Sequence, residues 1–217
     1  MLEIIPGILE KEWSEIERKI ELVLPFAKTI HIDLLDGKFV DNITLMDPEP
    51  FKKYTSEIFF EVHMMVEEPI QYLQSFADAG FKRFLGHIEK MSDISEFVAK
   101  GQLLGEVGLA IDGPTAFGKS PVPFEDVDCL LFYTSQQVGF SGPPFLPERL
   151  EKVKTARRLA TENNLPFFPI EVDGGVNENT IVLAKDTGVT RFVTTSFLFR
   201  GNPKEQYTLL ESLVKGE

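Results

Sequence analysis

The chain is 217 residues long, 43% hydrophobic and 26% charged, enough apolar material for a sizeable core in an ordinary globular protein. Its formal net charge of −12 argues against nucleic acid or an anionic membrane as a partner. One cysteine, Cys129, forms no intrachain disulfide; with neither a leader-like N-terminus nor an apolar stretch of membrane-spanning length, the expectation is a cytoplasmic protein.

Residues 2–9 read as a first strand, broken by Pro6-Gly7. Trp13, Ile16, Ile20, Val23 and Leu24 then recur at helical spacing. The second strand carries Thr29-Ile30-His31-Ile32-Asp33-Leu34-Leu35 and stops at the turn dipeptide Asp36-Gly37. A polar loop over 38–50 leads to a strand over 57–65 that ends near His63. Pro69 opens a helix with Ile70, Leu73, Phe76 and Ala77 on its apolar stripe. A strand over 83–87 ends in His87, and Ser92-Asp93 starts the next helix.

Residues 106–111 form the fifth strand, and 112–123 hold too much glycine and proline for a full helix. The sixth strand spans 129–134, followed by a loop over 135–147 and a helix marked by Leu150, Val153, Ala156, Leu159 and Ala160. Lys152, Lys154, Arg157 and Arg158 on that helix read as a solvated face. The seventh strand, 167–172, runs into Asp173-Gly174-Gly175. Asn177 caps a helix reaching Ala184, the eighth strand spans 191–195, and a last helix follows Pro203.

Eight β segments, most followed by a helical pattern, predict an α/β protein built as a single (β/α)₈ TIM barrel, one domain over residues 1–217. The strands read as nearly continuous apolar runs, as parallel strands covered on both faces do. No glycine-rich dinucleotide fingerprint follows the first strand, so no organic cofactor is expected.

In such a barrel, function gathers at the carboxyl ends of the strands. His31, His63, His87, Asp33 and Asp173 all fall there. His31 and Asp33, two apart on one strand, point the same way. His31, Asp33, His63 and Asp173 read either as a hydrogen-bonded polar core or as a two-nitrogen, two-oxygen cation site. The latter suits zinc, iron(II), manganese or cobalt. Strands 2 and 7 stand three steps apart around an eight-strand ring, so Asp33 and Asp173 approach a flat substrate from two faces. One carboxylate removes a proton and the other returns one to the opposite face, inverting a carbon next to a carbonyl. Glycine-containing turns after strands 6, 7 and 8 (Gly139-Phe140-Ser141-Gly142, Gly174-Gly175, and the Thr194-Thr195-Ser196 turn ending near Gly201) favour a phosphate site.

The stretches HIDLLDGKFVDNIT (31–44), EVHMMVEEP (61–69), HIE (87–89), VGFSGPPF (138–145) and EVDGGVN (171–177) resemble the ribulose-phosphate 3-epimerase family. The resemblance implies one divalent metal ion on His31, Asp33, His63 and Asp173. It also implies that Asp33 and Asp173 are the acid/base pair inverting carbon 3 of a ketopentose phosphate. Met65 would pack beside the reacting carbons, and Gly142, Gly175 and Ser196 would lie at the phosphate. A homo-oligomer and a small phosphorylated ketose as substrate are implied as well.

The chain departs from the family pattern in four places. Gly7 stands where a substrate-touching serine is usual, and Leu35 replaces a methionine. The sixth loop reads Gln137-Val138-Gly139-Phe140-Ser141-Gly142-Pro143, and Thr195-Ser196 replaces a glycine-serine pair. Gly139, Gly174 and Thr195 complete the expected substrate-facing set with Gly7 and the residues above. The expected activity is interconversion of D-ribulose 5-phosphate and D-xylulose 5-phosphate. A ketohexose 6-phosphate epimerase and a non-catalytic sugar-phosphate-binding barrel are the alternatives.

Overall fold

The computed structural model describes residues 2–216. Eight parallel strands close into a barrel in sequence order. They are β1 (Glu3–Ile8), β2 (Thr29–Leu35), β3 (Phe59–Met65), β4 (Arg83–His87), β5 (Glu106–Ile111), β6 (Cys129–Tyr133), β7 (Ile170–Asp173) and β8 (Arg191–Thr194). The helices are α1 (Trp13–Val23), α2 (Leu73–Asp78), α3 (Ile94–Gln102), α4 (Leu150–Glu162), α5 (Thr180–Lys185), α6 (Ser196–Arg200) and α7 (Pro203–Lys215). The crossovers after β2 and β5 hold only short 3₁₀ turns, Glu49–Lys53 and Phe124–Asp126. That agrees with the polar and proline-rich sequences there.

Alternation divides each strand between two cores. Ile30, Ile32 and Leu34 of β2 join the layer under the helices, where Phe51 packs edge-on against Phe60 and Phe81 at 5.8 and 5.2 Å between ring centroids. The inward set fills the barrel: Leu85, Ala110, Cys129 and Leu131 make one apolar patch, and Leu35, Met65, Tyr133 and Val138 another nearer the carboxyl ends.

Several boundaries differ from the sequence reading. Pro6-Gly7 lies inside β1 rather than breaking it. The β1–β2 ladder begins only at Gly7, one residue after the proline, which has no N–H to give. β3 starts at Phe59 and β7 at Ile170; Phe167, counted in the seventh strand from its apolar type, is 91% exposed. Asn177 caps a turn ahead of the helix, its Oδ1 accepting from the amides of Asn179 and Thr180. The basic face of α4 is only half solvated. Lys152 donates to the carbonyls of Asp112 and Gly113, and Arg157 to those of Gly188 and Pro166.

Candidate active site

Inward alternation on β2 and β3 delivers His31, Asp33, His63 and Met65 to the barrel interior, and the parallel register sets Asp33 opposite His63. On the far side Asp173 ends β7, opposite Tyr133 of β6. A threonine clamps the backbone at each aspartate. Thr44 Oγ1 donates to the Asp33 carbonyl at 2.8 Å, and Thr134 Oγ1 lies 2.9 Å from the Asp173 carbonyl. Each carboxylate therefore projects from a backbone that cannot swing freely.

The side chains converge on a small space. His63 Nδ1 is 3.1 Å from Asp33 Oδ1 and 3.3 Å from Asp173 Oδ2. His31 Nε2 is 3.3 Å from Asp33 Oδ1, buried and without a hydrogen-bond partner. Its other nitrogen, Nδ1, meets Glu61 Oε1 at 2.7 Å. His63 Nε2 faces His87 Nε2 at 2.9 Å, and His87 Nδ1 lies 3.0 Å from Glu89 Oε2. Two facing imidazole nitrogens share one proton, so one ring donates and the other accepts. With the lone pair of His63 on Nδ1, its Nε2–H donates to His87, and His87 Nδ1–H donates to Glu89. Glu89 is itself held by the Asp112 amide at 2.8 Å.

The electrostatics follow from burial and carboxylates. Burial works against a charged His31, yet the neighbouring carboxylates of Asp33, Glu171 and Glu61 outweigh that and hold its pKa well above the ordinary value. His63 is raised in the same way: burial opposes, and Asp173 and Asp33 prevail. Burial pushes Asp33 up, but the two imidazoles bring it down to about 2. His87 is lowered, chiefly by burial, which keeps it a neutral acceptor for His63.

These residues fit a small divalent cation. One donor atom from each of His31, Asp33, His63 and Asp173 lies within 4.8 Å of the others. Among the described residues the ion-pair partners of Asp33 and Asp173 are imidazoles, with no lysine or arginine. The orphaned His31 Nε2 is a buried donor atom that a metal would satisfy. A second cluster, His31, Glu61 and Glu171, lies below it, but there the Arg83 guanidinium already pairs Glu61.

A cleft opens over this centre. Of the residues the sequence singles out, Asp33, Met65, Gly139, Gly142, Asp173, Gly174, Gly175, Thr195 and Ser196 line it. Gly7 does not; it is buried behind Thr195. The turn after β7 needs both its glycines. They have φ of +104° and +77°, and a Cβ on Gly174 or Gly175 would fall 2.7 Å from Ser135 or 2.6 Å from the Phe145 amide nitrogen. Arg200 at the rim donates to Ser196 Oγ at 3.2 Å.

A sequence profile of the Ribulose-phosphate 3 epimerase family matches residues 3–199. The chain belongs to the ribulose-phosphate 3-epimerase family. It is 36% identical over 179 residues to the ribulose-phosphate 3-epimerase of Chlamydia pneumoniae, covering 80% of this chain and 76% of that one. It is 33% identical over 207 residues to that of Bacillus subtilis, covering 92% and 93%. As a member of this family it is an isomerase, an epimerase. The fold is shared more widely. The 3-keto-L-gulonate-6-phosphate decarboxylase of Vibrio cholerae superposes with a TM-score of 0.69 at 11% identity, over 99% of this chain and 98% of that one. The phosphoribosyl anthranilate isomerase of Thermus thermophilus gives 0.62 at 12% identity, over 99% of each.

Two groups of residues around the candidate site escaped the sequence reading. Tyr133, Leu9 and Val176 also line the cleft, and nothing in their local sequence distinguishes them from core or loop residues; Phe140 and Ser141, from the turn already read as phosphate-facing, line it too. Glu61, Arg83, Glu171 and Arg191 lie in the barrel beneath the histidines. A signal existed for two of them: Glu61 and Glu171 stand two residues before His63 and Asp173, on the same strand faces.

Proposed function

We propose that this epimerase interconverts D-ribulose 5-phosphate and D-xylulose 5-phosphate by two-aspartate proton transfer at carbon 3, with one divalent metal ion on His31, Asp33, His63 and Asp173. The reading is carried by one observation: carboxylates from β2 and β7 meet the same imidazole nitrogen, at 3.1 and 3.3 Å, beneath one cleft. Asp33 and Asp173 thus flank the position a planar substrate would take. One carboxylate takes the proton from carbon 3, and the other gives one to the opposite face of the resulting enediolate. The metal, when bound, supplies positive charge that stabilises developing negative charge on substrate oxygens. Met65 and the Tyr133 ring pack against the reacting carbons and keep bulk water from them. The turns at Gly142, Gly175 and Ser196 receive the phosphate, and Arg200 beside Ser196 adds a local positive charge to a strongly acidic protein.

The test is proton exchange at carbon 3. The metal-loaded protein is incubated with D-ribulose 5-phosphate in deuterated water and followed by NMR. Deuterium at carbon 3 together with xylulose 5-phosphate is the expected result. A metal-loaded protein that exchanges nothing with this substrate but does so with a ketohexose 6-phosphate overturns the substrate assignment. One that exchanges neither overturns the reaction.

A further inference from the structure

Thr195 occupies the N-cap position of α6, where a threonine hydroxyl ordinarily accepts an amide of the first turn. Here it makes no capping bond. Instead the residue lines the cleft with Asp33, Met65 and Asp173. Across the strand pair, the register of Pro6 with Thr194 brings Gly7 alongside. A Cβ on Gly7 would fall 2.3 Å from Thr195 Oγ1 and 2.9 Å from Val193 Cγ1. Gly7 does not adopt a left-handed backbone conformation, so the chain itself would accept a side chain there. Space is what demands glycine; the hydroxyl of Thr195 fills most of it, with Val193 Cγ1 at its edge.

We propose that Thr195 Oγ1 is a substrate-contacting hydroxyl of this epimerase, and that positions 7 and 195 form an exclusive pair. The inner wall has room for one hydroxyl at this point, which β8 supplies because β1 presents glycine. The two departures from the family pattern, Gly7 and Thr195, are then one exchange of a hydroxyl between neighbouring strands. A ketose in this cleft buries hydroxyl and carbonyl oxygens that need partners. Asp33 and Asp173 are committed to proton transfer, whereas a threonine hydroxyl both donates and accepts.

The proposal rests on the phosphorylated-ketose reading above, and a cycle of variants separates the two. Wild type, Gly7→Ser, Thr195→Gly, the double variant Gly7→Ser/Thr195→Gly and the near-isosteric Thr195→Val are compared in kcat, KM and thermal stability. Thr195→Val is expected to keep the fold and lose about tenfold or more in kcat/KM, since a polar substrate atom is left unpaired. Gly7→Ser alone is expected to lower the melting temperature and the activity, and adding Thr195→Gly to recover both. Recovery of this kind in contacting residues is non-additive. Wild-type kinetics in Thr195→Val, or effects of the two substitutions that simply add, overturn the proposal while leaving the epimerase reading intact. A wild type that turns over no phosphorylated ketose overturns that reading and the role of the hydroxyl with it.

Discussion

Beneath the histidines, Arg83 pairs with Glu61 and reaches Glu106 Oε2 at 2.8 Å, with Arg191 3.9 Å from the same oxygen. One layer higher, among the described residues, Asp33 and Asp173 pair only with imidazoles. Both layers hold buried carboxylates, and both must offset the cost of taking charge out of water. The lower layer does so for Glu61 with the Arg83 guanidinium from its own sequence, while both oxygens of Glu171 stay without a hydrogen-bond partner among the described residues. There, burial and then the neighbouring Glu61 charge raise the pKa of Glu171, while burial of Glu61 is outweighed by Arg83, which brings it to about 2. The upper layer lacks such a cation, and its geometry leaves room for one from outside. The two layers, stacked in the same barrel, differ in that the lower one carries its own guanidinium against Glu61 and the upper one meets imidazoles.

The comparison breaks most visibly at the aspartates. Asp33→Asn or Asp173→Asn should lower kcat by about 10²–10⁴-fold, the usual worth of a positioned acid or base, with the barrel still folded by circular dichroism. Near-normal turnover in either would return the upper layer to a merely structural role.

Next is the lower layer. Glu61→Leu leaves the buried Arg83 guanidinium with Glu106 as its one remaining carboxylate partner among the described residues and should cost up to about 3–5 kcal/mol in urea denaturation. Replacing both partners, Glu61→Leu with Arg83→Met, should restore most of it. A single variant as stable as wild type would mean that this pair is not the neutralising element.

The smallest effect concerns the link between ligand and scaffold. His63 and His87 stack with centroids 4.9 Å apart, so His87→Phe keeps the shape and removes the acceptor for His63 Nε2–H. Divalent-cation affinity, read by chelator competition on the folded protein, should weaken about 10–100-fold. Unchanged affinity would show that His63 is oriented by β3 alone.

Much of this was legible in the chain. The period-two placement of His31 and Asp33 determined that they share a strand face, and the apolar runs between helical stretches determined eight buried strands. Strand ends were less legible at β1 and β7. Pairing with neighbours, not local composition, decides where a strand begins, so Pro6-Gly7 stays in and Phe167 stays out. The sequence places His87 at a strand end but does not show its contact with His63, which belongs to another strand.

By itself, the sequence determined which residue types sit at the carboxyl ends of which strands, since alternation and turn chemistry are local. Barrel closure decided the rest. It brings β8 against β1, so that Thr195 fills the space left at Gly7, and β7 within reach of His63, so that two carboxylates share one imidazole nitrogen. Such contacts depend on shear and register around the whole ring, which no window of sequence contains.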